Sequence, residues 1–428
     1  LMALAAALLY LLCRRLTAPR LPSACCALLA GLNGTVWSQA TITEVYALSA
    51  LLFLLLLNCC LSFLKNPSLP NLLLLSWLFG LSLTAHPTLV LFAPALLLLL
   101  LFKAPKLLFK VSSLFSASVF FLLGLSIYLY LPLRSLADPP MDWGNPETFK
   151  AFFAHLLRRQ YAGLSKPPLH PVLDRTAYLV RLTAVEVGPL LTIASALGLG
   201  RLLKSEFGKN RAFRLSSLAA LAAFSFGLLF ILSISFDKQT LSLNRVFFIP
   251  LVFLTAIPAA FGIERISYLL KLKAGVFLSY AFQGLLVFAL LFYQFPRQDR
   301  SSSTLAREYA EAVLKTLPPN SIFIPTGDYA TFPVLYLQFV EGKRPDVIVA
   351  DKYGYLDPRV LKELGASDQE IKDLEALPRP AQTRYLIDRS GRPVFVNAKQ
   401  AISEIPSRKL PSRRNPLQSG QKKKTLEP

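Results

Sequence analysis

Charge is scarce in this 428-residue chain, and negative charge scarcest: 17% of residues are Asp, Glu, Lys or Arg, with 25 acids against 46 bases. Histidine is nearly absent, with three copies. The five cysteines (Cys13, Cys25, Cys26, Cys59 and Cys60) all lie in or beside apolar runs, and none falls in the C-terminal third. There is no CxxC pair and no metal-ligand spacing, which excludes a disulfide framework and a zinc site. Neither GxGxxG nor GK[ST] occurs, so a nucleotide-binding loop has no sequence support. No cofactor and no metal are expected. The opening LMALAAALLYLLCRRL has no basic n-region and no small-residue cleavage site, so it does not read as a signal peptide. It starts inside an apolar run, and the expectation is a chain whose natural N-terminus lies upstream of Leu1.

What fills the space is apolar: 54% of residues, with a mean hydropathy of +0.47. Residues 1–295 carry about ten runs of roughly 12–22 residues, most of them near the length that crosses ~30 Å of hydrocarbon. They lie at 1–12, 21–37, 45–64, 70–85, 88–103, 111–132, 184–203, 214–235, 244–263 and 274–294. Beyond 295 there are none, and charge becomes frequent. The fold class expected is a polytopic α-helical membrane protein with a C-terminal extracytoplasmic α/β region. Its parts are a membrane domain at 1–295, including a long loop at 133–183, a small α/β domain at 296–400, and a basic, disordered tail at 401–428 rich in Lys, Arg, Pro and Ser.

The charges order the runs. Arg14, Arg15, Arg20, Lys65, Lys103, Lys106, Lys110, Arg201, Lys204, Lys209, Arg211, Arg214, Arg265, Lys271 and Lys273 occupy one set of connections. The alternate short connections at 38–44, 86–87 and 236–243 hold one base, Lys238. Short basic loops stay on the cytoplasmic side, so the other set, the long loop and the C-terminal region are expected outside. The net charge of +21 is thereby read as membrane orientation, with lipid as partner and no nucleic acid.

Inside the long loop, Asn145, Pro146 and Glu147 carry the signals of a helix start. Phe149, Phe152, Phe153, Leu156 and Leu157 then recur at helical spacing beside Lys150, Arg158 and Arg159. This reads either as a helix lying in the membrane interface or as one packed on the mouth of the bundle. In the C-terminal region, SSSTLAREYAEAVLKT predicts a helix, SIFIP a strand, TFPVLYLQFVEGK a helix, DVIVAD a strand, TRYLIDRSG a helix and PVFVNA a strand. That order predicts a parallel α/β unit. Asp328 and Asp351 follow strands, as ligand-binding residues of such sheets do, though turn and capping chemistry is the favoured reading.

Few ionisable residues sit deep in the runs, which argues against an ion-coupled transporter. The polar residues gather at the outer ends: Glu44, His86, Arg134, Asp142, Asp237, Lys238 and Arg245. Such a cluster suits a lipid-linked substrate. Arg134 and Arg245 are the candidates for a donor phosphate, or else they snorkel to headgroups. Glu44, His86 and Asp142 are the candidates for acceptor or sugar binding, against ordinary hydration, salt bridging or, for His86 in TAHPT, a structural turn. Asn33-Gly34-Thr35 matches the N-glycosylation pattern but falls at the end of a run, and is read as a chance match.

Four stretches, GTVWSQATITEVYALSALLF, GLSLTAHPTLVLFAPALLLL, YLYLPLRSLADPPMDWGNPETFKAFFAHLLRRQY and LPPNSIFIPTGDYATFPVLYLQFVEGKRPDV, resemble in their order a family of polytopic membrane proteins long labelled a domain of unknown function. Its eukaryotic relative is a transmembrane protein O-mannosyltransferase, and it is similar to the GT-C glycosyltransferases. The resemblance implies transfer of a sugar from a polyprenyl-phosphate donor to an acceptor at the outer face of a membrane, the cytoplasmic (inner) membrane for a bacterial member. It implies inversion by direct displacement, with a carboxylate deprotonating the acceptor. The family carries that acid in its first outer loop, and no residue of this sequence matches it. The catalytic base is therefore expected N-terminal to Leu1, and the fragment by itself lacks it. A transporter or flippase, and a non-catalytic membrane scaffold, stay open as alternatives on the residues alone.

Overall fold

The computed structural model describes residues 1–137, 139, 142, 144–157, 159, 176–177, 181, 185–228, 244–325, 327–350, 361–362, 365–375 and 379–396. Asp237, Lys238, Asp351 and the tail from 401 lie outside the described residues. Contacts divide the chain into two compact units, Leu1–Tyr130 with Leu164–Arg300, and Leu131–Gly163 with Ser301–Pro428. The first half of the long loop thus groups with the C-terminal region.

The first unit is helical. Among the described residues, three helices suffice by length and composition to cross a membrane: Tyr46–Lys65, Val111–Ser135 and Arg245–Gln298. Arg20–Gly31, Leu69–Ala85 and Pro87–Lys103 are apolar but shorter. Several expected runs are divided by local chemistry. The run at 21–37 is two helices, Arg20–Gly31 and Gly34–Ser38. Asn33 separates them, because its side chain accepts the N–H groups of Thr35 and Val36 at 3.1 and 3.3 Å and starts the second helix, a cap contributing about 1 kcal/mol. The run at 88–103 begins as a 3-10 turn, Pro87–Phe92, before the α-helix Ala93–Lys103. The helix Arg211–Ala222 runs into a π-helical turn, Ala223–Gly227. The long helix Ile249–Gln298 is interrupted at Gly275, whose φ of 87° is a conformation open to glycine.

Side-chain contacts sort the helix ends into two sets. At one, Arg15 donates to Asn58 O at 2.8 Å and to the Ser62 hydroxyl at 2.7 Å. Lys65 stands over Phe207 at 5.3 Å, Arg211 over Phe102 at 4.5 Å, and Arg201 pairs with Glu264 at 2.6 Å. These are residues of the basic connections and their neighbours. At the other end, Tyr46, His86 and Phe247 stack together, and Trp37 meets Phe295 edge-on at 6.3 Å. The alternation of charge read along the sequence is matched by these contacts in space.

The second unit holds a parallel sheet of three strands, β1 (Ile322–Ile324), β2 (Ile348–Val349) and β3 (Val394–Val396), in the order β2-β1-β3. The helices Leu305–Thr316 and Asp328–Phe339 flank β1 in sequence, and Asp368–Glu375 and Arg379–Ser390 precede β3. Side chains alternate across the sheet: Ile322, Ile324 and Ile348 pack with Leu361, Ile371 and Leu374, while Phe323 and Phe395 pack with Leu314, Val334 and Leu337. In the loop portion, the helix is Phe149–Leu156 and its cap is Thr148, whose hydroxyl accepts Ala151 N–H at 3.2 Å. Asn145, expected as the cap, instead turns the chain at φ 38°. Its side-chain oxygen accepts from the Ser135 hydroxyl at 3.0 Å.

Candidate functional site

At the end of the helical unit away from the basic connections, four segments close around one buried acid, Glu186. It sits just before Gly188 and Pro189, which open the helix Pro189–Lys204. Its carboxylate is 5% exposed, so an unpaired charge there would be costly. Both oxygens are engaged. Oε1 pairs with Arg245 Nε at 2.6 Å, and Oε2 accepts the Thr35 hydroxyl. Thr35 Oγ1 in turn accepts from Arg245 Nη2 at 3.1 Å, closing a ring of three side chains. Asn33 Nδ2 donates to the Glu186 carbonyl, so the cap of Gly34–Ser38 also fixes the backbone that carries the acid. Arg245 is 44% exposed, and its Nη1 makes no hydrogen bond among the described residues.

The ring forms one wall of a cavity of about 640 Å³. Tyr293, Gln294, Arg297 and Gln298, from the last turns of the long helix, complete it. Arg297 lies over the Tyr293 ring at 3.8 Å and donates to its carbonyl at 2.6 Å. Gln298 Oε1 is buried with no hydrogen-bond partner among the described residues. Gly34 faces the Gln294 amide so closely that a Cβ would meet it at 3.0 Å. The cavity therefore offers two guanidinium groups, amide donors and acceptors, and one carboxylate already committed. Such a wall suits an anionic oxygen ligand more than a cation.

Arg245, a residue singled out by sequence, is placed in this cavity. His86 is beside the same segment: its ring is 5.4 Å from both Tyr46 and Phe247, two residues beyond Arg245. It is 4% exposed, and its Nδ1 accepts Thr88 N–H at 3.3 Å, capping the turn Pro87–Phe92. Glu44 is exposed, and the hydrogen bond its carboxylate accepts comes from the adjacent Val45 N–H, at 3.4 Å. Arg134 and Asp142 belong to the second unit. Arg134 is exposed, and Asp142 accepts the Ser135 hydroxyl at 2.5 Å. Asp328 opens the helix after β1 as its first-turn acid.

Glu186, Thr35 and Arg297 were not singled out by sequence, and Asn33 was read as a chance motif. Of these, Glu186 left a signal: an acid at the head of an apolar run, ahead of Gly-Pro.

Residues 12–109 match the family model described as the protein O-mannosyl-transferase TMEM260 N-terminal domain, and residues 306–357 match TMEM260-associated domain 2. Among curated proteins, the chain is 26% identical over 256 residues to protein O-mannosyl-transferase tmem260 of Dictyostelium discoideum, covering 53% of this chain and 31% of that protein. It is 23% identical over 314 residues to protein O-mannosyl-transferase TMEM260 of Mus musculus, covering 67% of this chain and 42% of that protein. The chain spans less than half the length of these two relatives. Asn33, Thr35, Glu44 and His86 fall inside the first matched stretch, and Glu186 and Arg245 outside both.

Proposed function

From the O-mannosyltransferase-like family that these matches support, we propose that this chain belongs to a GT-C type membrane glycosyltransferase. It moves a sugar, mannose in the first instance, from a polyprenyl phosphate to a hydroxyl of an extracytoplasmic acceptor. Its membrane domain crosses about ten times, the division of some runs being internal bends. The C-terminal α/β region lies outside, and for a bacterial source the membrane is the cytoplasmic one.

The acceptor oxygen attacks the anomeric carbon, the bond from that carbon to the phosphate oxygen breaks, and polyprenyl phosphate leaves. Negative charge grows on the leaving phosphate, so donors fixed in advance around it lower the barrier. Arg245 is suited to this role because Glu186 and Thr35 hold its Nε and Nη2, while Nη1, with no hydrogen bond among the described residues, can meet a phosphate oxygen at no cost in ordering the side chain. Arg297 supplies a second cation on the same wall, and Arg134, in the second unit, is a separate candidate for phosphate contact. His86 holds the turn that carries Arg245 through Phe247. Glu44 and Asp142 are assigned to acceptor or sugar contacts. Glu186 is a poor general base, since both of its oxygens are occupied. The acceptor's proton passes to a carboxylate other than Glu186, as the family resemblance implies. No cofactor or metal enters this scheme.

The observation that carries the reading is the Arg245–Glu186–Thr35 ring on the wall of the polar cavity. The test is turnover of polyprenyl-phosphate mannose by the full-length protein in liposomes. Arg245→Ala should lower kcat about 10²–10³-fold, as loss of one preorganised donor does, and Arg245→Lys should recover only part. Unchanged turnover in a folded Arg245→Ala protein would remove the phosphate assignment.

A further inference from the structure

The basic end of the helical unit contains a second cavity, of about 400 Å³. Its walls are almost wholly apolar: Leu16, Leu61, Leu99, Leu202, Leu254 and Ile257 are typical. Three polar residues of one helix, Arg214, Ser216 and Ser217, line it as well. An apolar cavity stays dry and takes apolar guests, and one of about 150 Å³ already admits benzene. This one is more than twice that size. Left empty, its lining would lose the dispersion contacts that close packing provides. In a bilayer the guest at hand is a hydrocarbon chain.

The polar residues identify what such a chain would be attached to. Arg214 is in the first turn of the helix Arg211–Ala222, capped by Asn210, whose side chain accepts two of the leading N–H groups. A helix start favours negative charge. The Arg214 side chain is exposed and has no ion pair among the described residues. Ser217, three residues on and so on the same helix face, has a hydroxyl with no hydrogen-bond partner among the described residues. The neighbourhood is basic: Lys65 follows the wall residue Leu64, and Lys204 follows Leu203. Of the acids on neighbouring helices, Glu264 is already paired with Arg201 at 2.6 Å, and Glu206 is exposed at the start of the helix Glu206–Lys209.

We propose that this cavity is a binding site for an anionic phospholipid, with an acyl chain between the helices and the phosphate on Arg214 and Ser217. It is independent of the sugar-transfer site, which draws on the opposite helix ends.

The test uses the full chain purified in mild detergent, titrated with phosphatidylglycerol and phosphatidylcholine and read by native mass spectrometry. Phosphatidylglycerol should bind about tenfold more tightly, a difference of about 1.4 kcal/mol. Arg214→Gln should abolish that preference, and Arg214→Lys should retain it. Ala220→Phe, which fills the cavity from the same helix, should weaken both lipids. Should that variant fail to fold, the surface change Arg214→Gln decides alone. Equal binding of the two lipids by the unaltered chain, a preference that survives Arg214→Gln, or displacement of phosphatidylglycerol by an equimolar polyprenyl phosphate would each overturn the proposal.

Discussion

In the helical unit the closest packing is backbone against backbone, and in the α/β unit it is side chain against side chain. Gly198 and Gly262 let the helices Pro189–Lys204 and Ile249–Gln298 touch: a Cβ on Gly262 would run into the carbonyl of Ala194, and one on Gly198 into that of Pro258. Gly80 and Gly124 do the same for Leu69–Ala85 and Val111–Leu125. The second unit has no comparable glycine among its described residues. Its two faces are filled by Ile, Leu, Val and Phe from sheet and helices. The difference follows from the solvent. Between helices in lipid, apolar burial supplies little drive, so close approach and hydrogen bonds decide association. In water, the apolar area removed drives folding at about 25 cal/mol per Å².

The largest expected effect tests that contrast directly. Gly262→Leu should prevent the two helices from meeting, and the protein should not be recovered as a single species on size exclusion in detergent. Gly391→Ala in the α/β unit meets no atom within 4 Å. Its φ of 61° should cost about 1–2 kcal/mol, read as a modest fall in the unfolding midpoint of a protein that still elutes normally. A Gly262→Leu protein that folds and elutes like the parent would end the comparison.

Arg344 sharpens the other side. Its guanidinium holds both oxygens of Asp346 at 2.8 and 2.9 Å and donates to the carbonyls of Leu317 and Pro318 at 2.9 and 3.0 Å, and also to that of Leu314. Asp346 also accepts Asn320 N–H at 3.0 Å. This knot ties the end of the helix Leu305–Thr316 to the chain entering β2. Arg344→Ala should cost about 1.5–3 kcal/mol, the range for hydrogen bonds to charged groups. Arg344 also holds the Asp346 carboxyl well below the usual carboxylate range. A folded-state pKa lower than the unfolded one stabilises fully above the unfolded value, about pH 4. That stability drains as pH falls through the folded value. Acid unfolding monitored from pH 5 downward should therefore lose its steepest part in Asp346→Asn, with little change at pH 7 beyond the lost pair.

What the sequence disclosed divides along the same line. Helices and strands came from local signals: apolar length, the helical spacing of Phe and Leu, and the short apolar run of SIFIP. The sorting of helix ends came from loop charge, because basic connections alternate along the chain with nearly uncharged ones. The site was only half legible. Arg245 could be singled out, since a cation beside an apolar run is conspicuous. Its ring was not, because Thr35 is 210 positions away in the chain and its hydroxyl is no rarer than any other. Glu44 drew notice as an isolated acid, yet an acid at a water-facing helix end is cheap. Asn33 and Thr35, eleven and nine positions earlier, proved to be the contribution of that segment to the cavity. Asn33 also divided a run that hydropathy alone reads as continuous.

The smallest effect is expected where charges are most numerous. Arg307, Glu311, Glu341 and Lys343 form a mutual set of ion pairs between 2.7 and 3.1 Å on the surface of the α/β unit. Glu341 and Glu311 titrate below their usual range because of their hydrogen bonds to Arg307 and Lys343. By position in the sequence these residues look as organised as the Arg344 knot. Their surroundings differ: the set is water-exposed, holds long mobile side chains and is screened within about 8–10 Å at ordinary salt. Arg344, by contrast, reaches backbone carbonyls that have few other donors. Arg307→Ala should leave the thermal midpoint of the protein unchanged within error in 0.5 M salt, and shift it slightly at low salt. A shift at high salt as large as that of Arg344→Ala would mean that side-chain ion pairs alone fix the helix Leu305–Thr316, and the contrast between exposed pairs and a knot tied to backbone carbonyls would then fail.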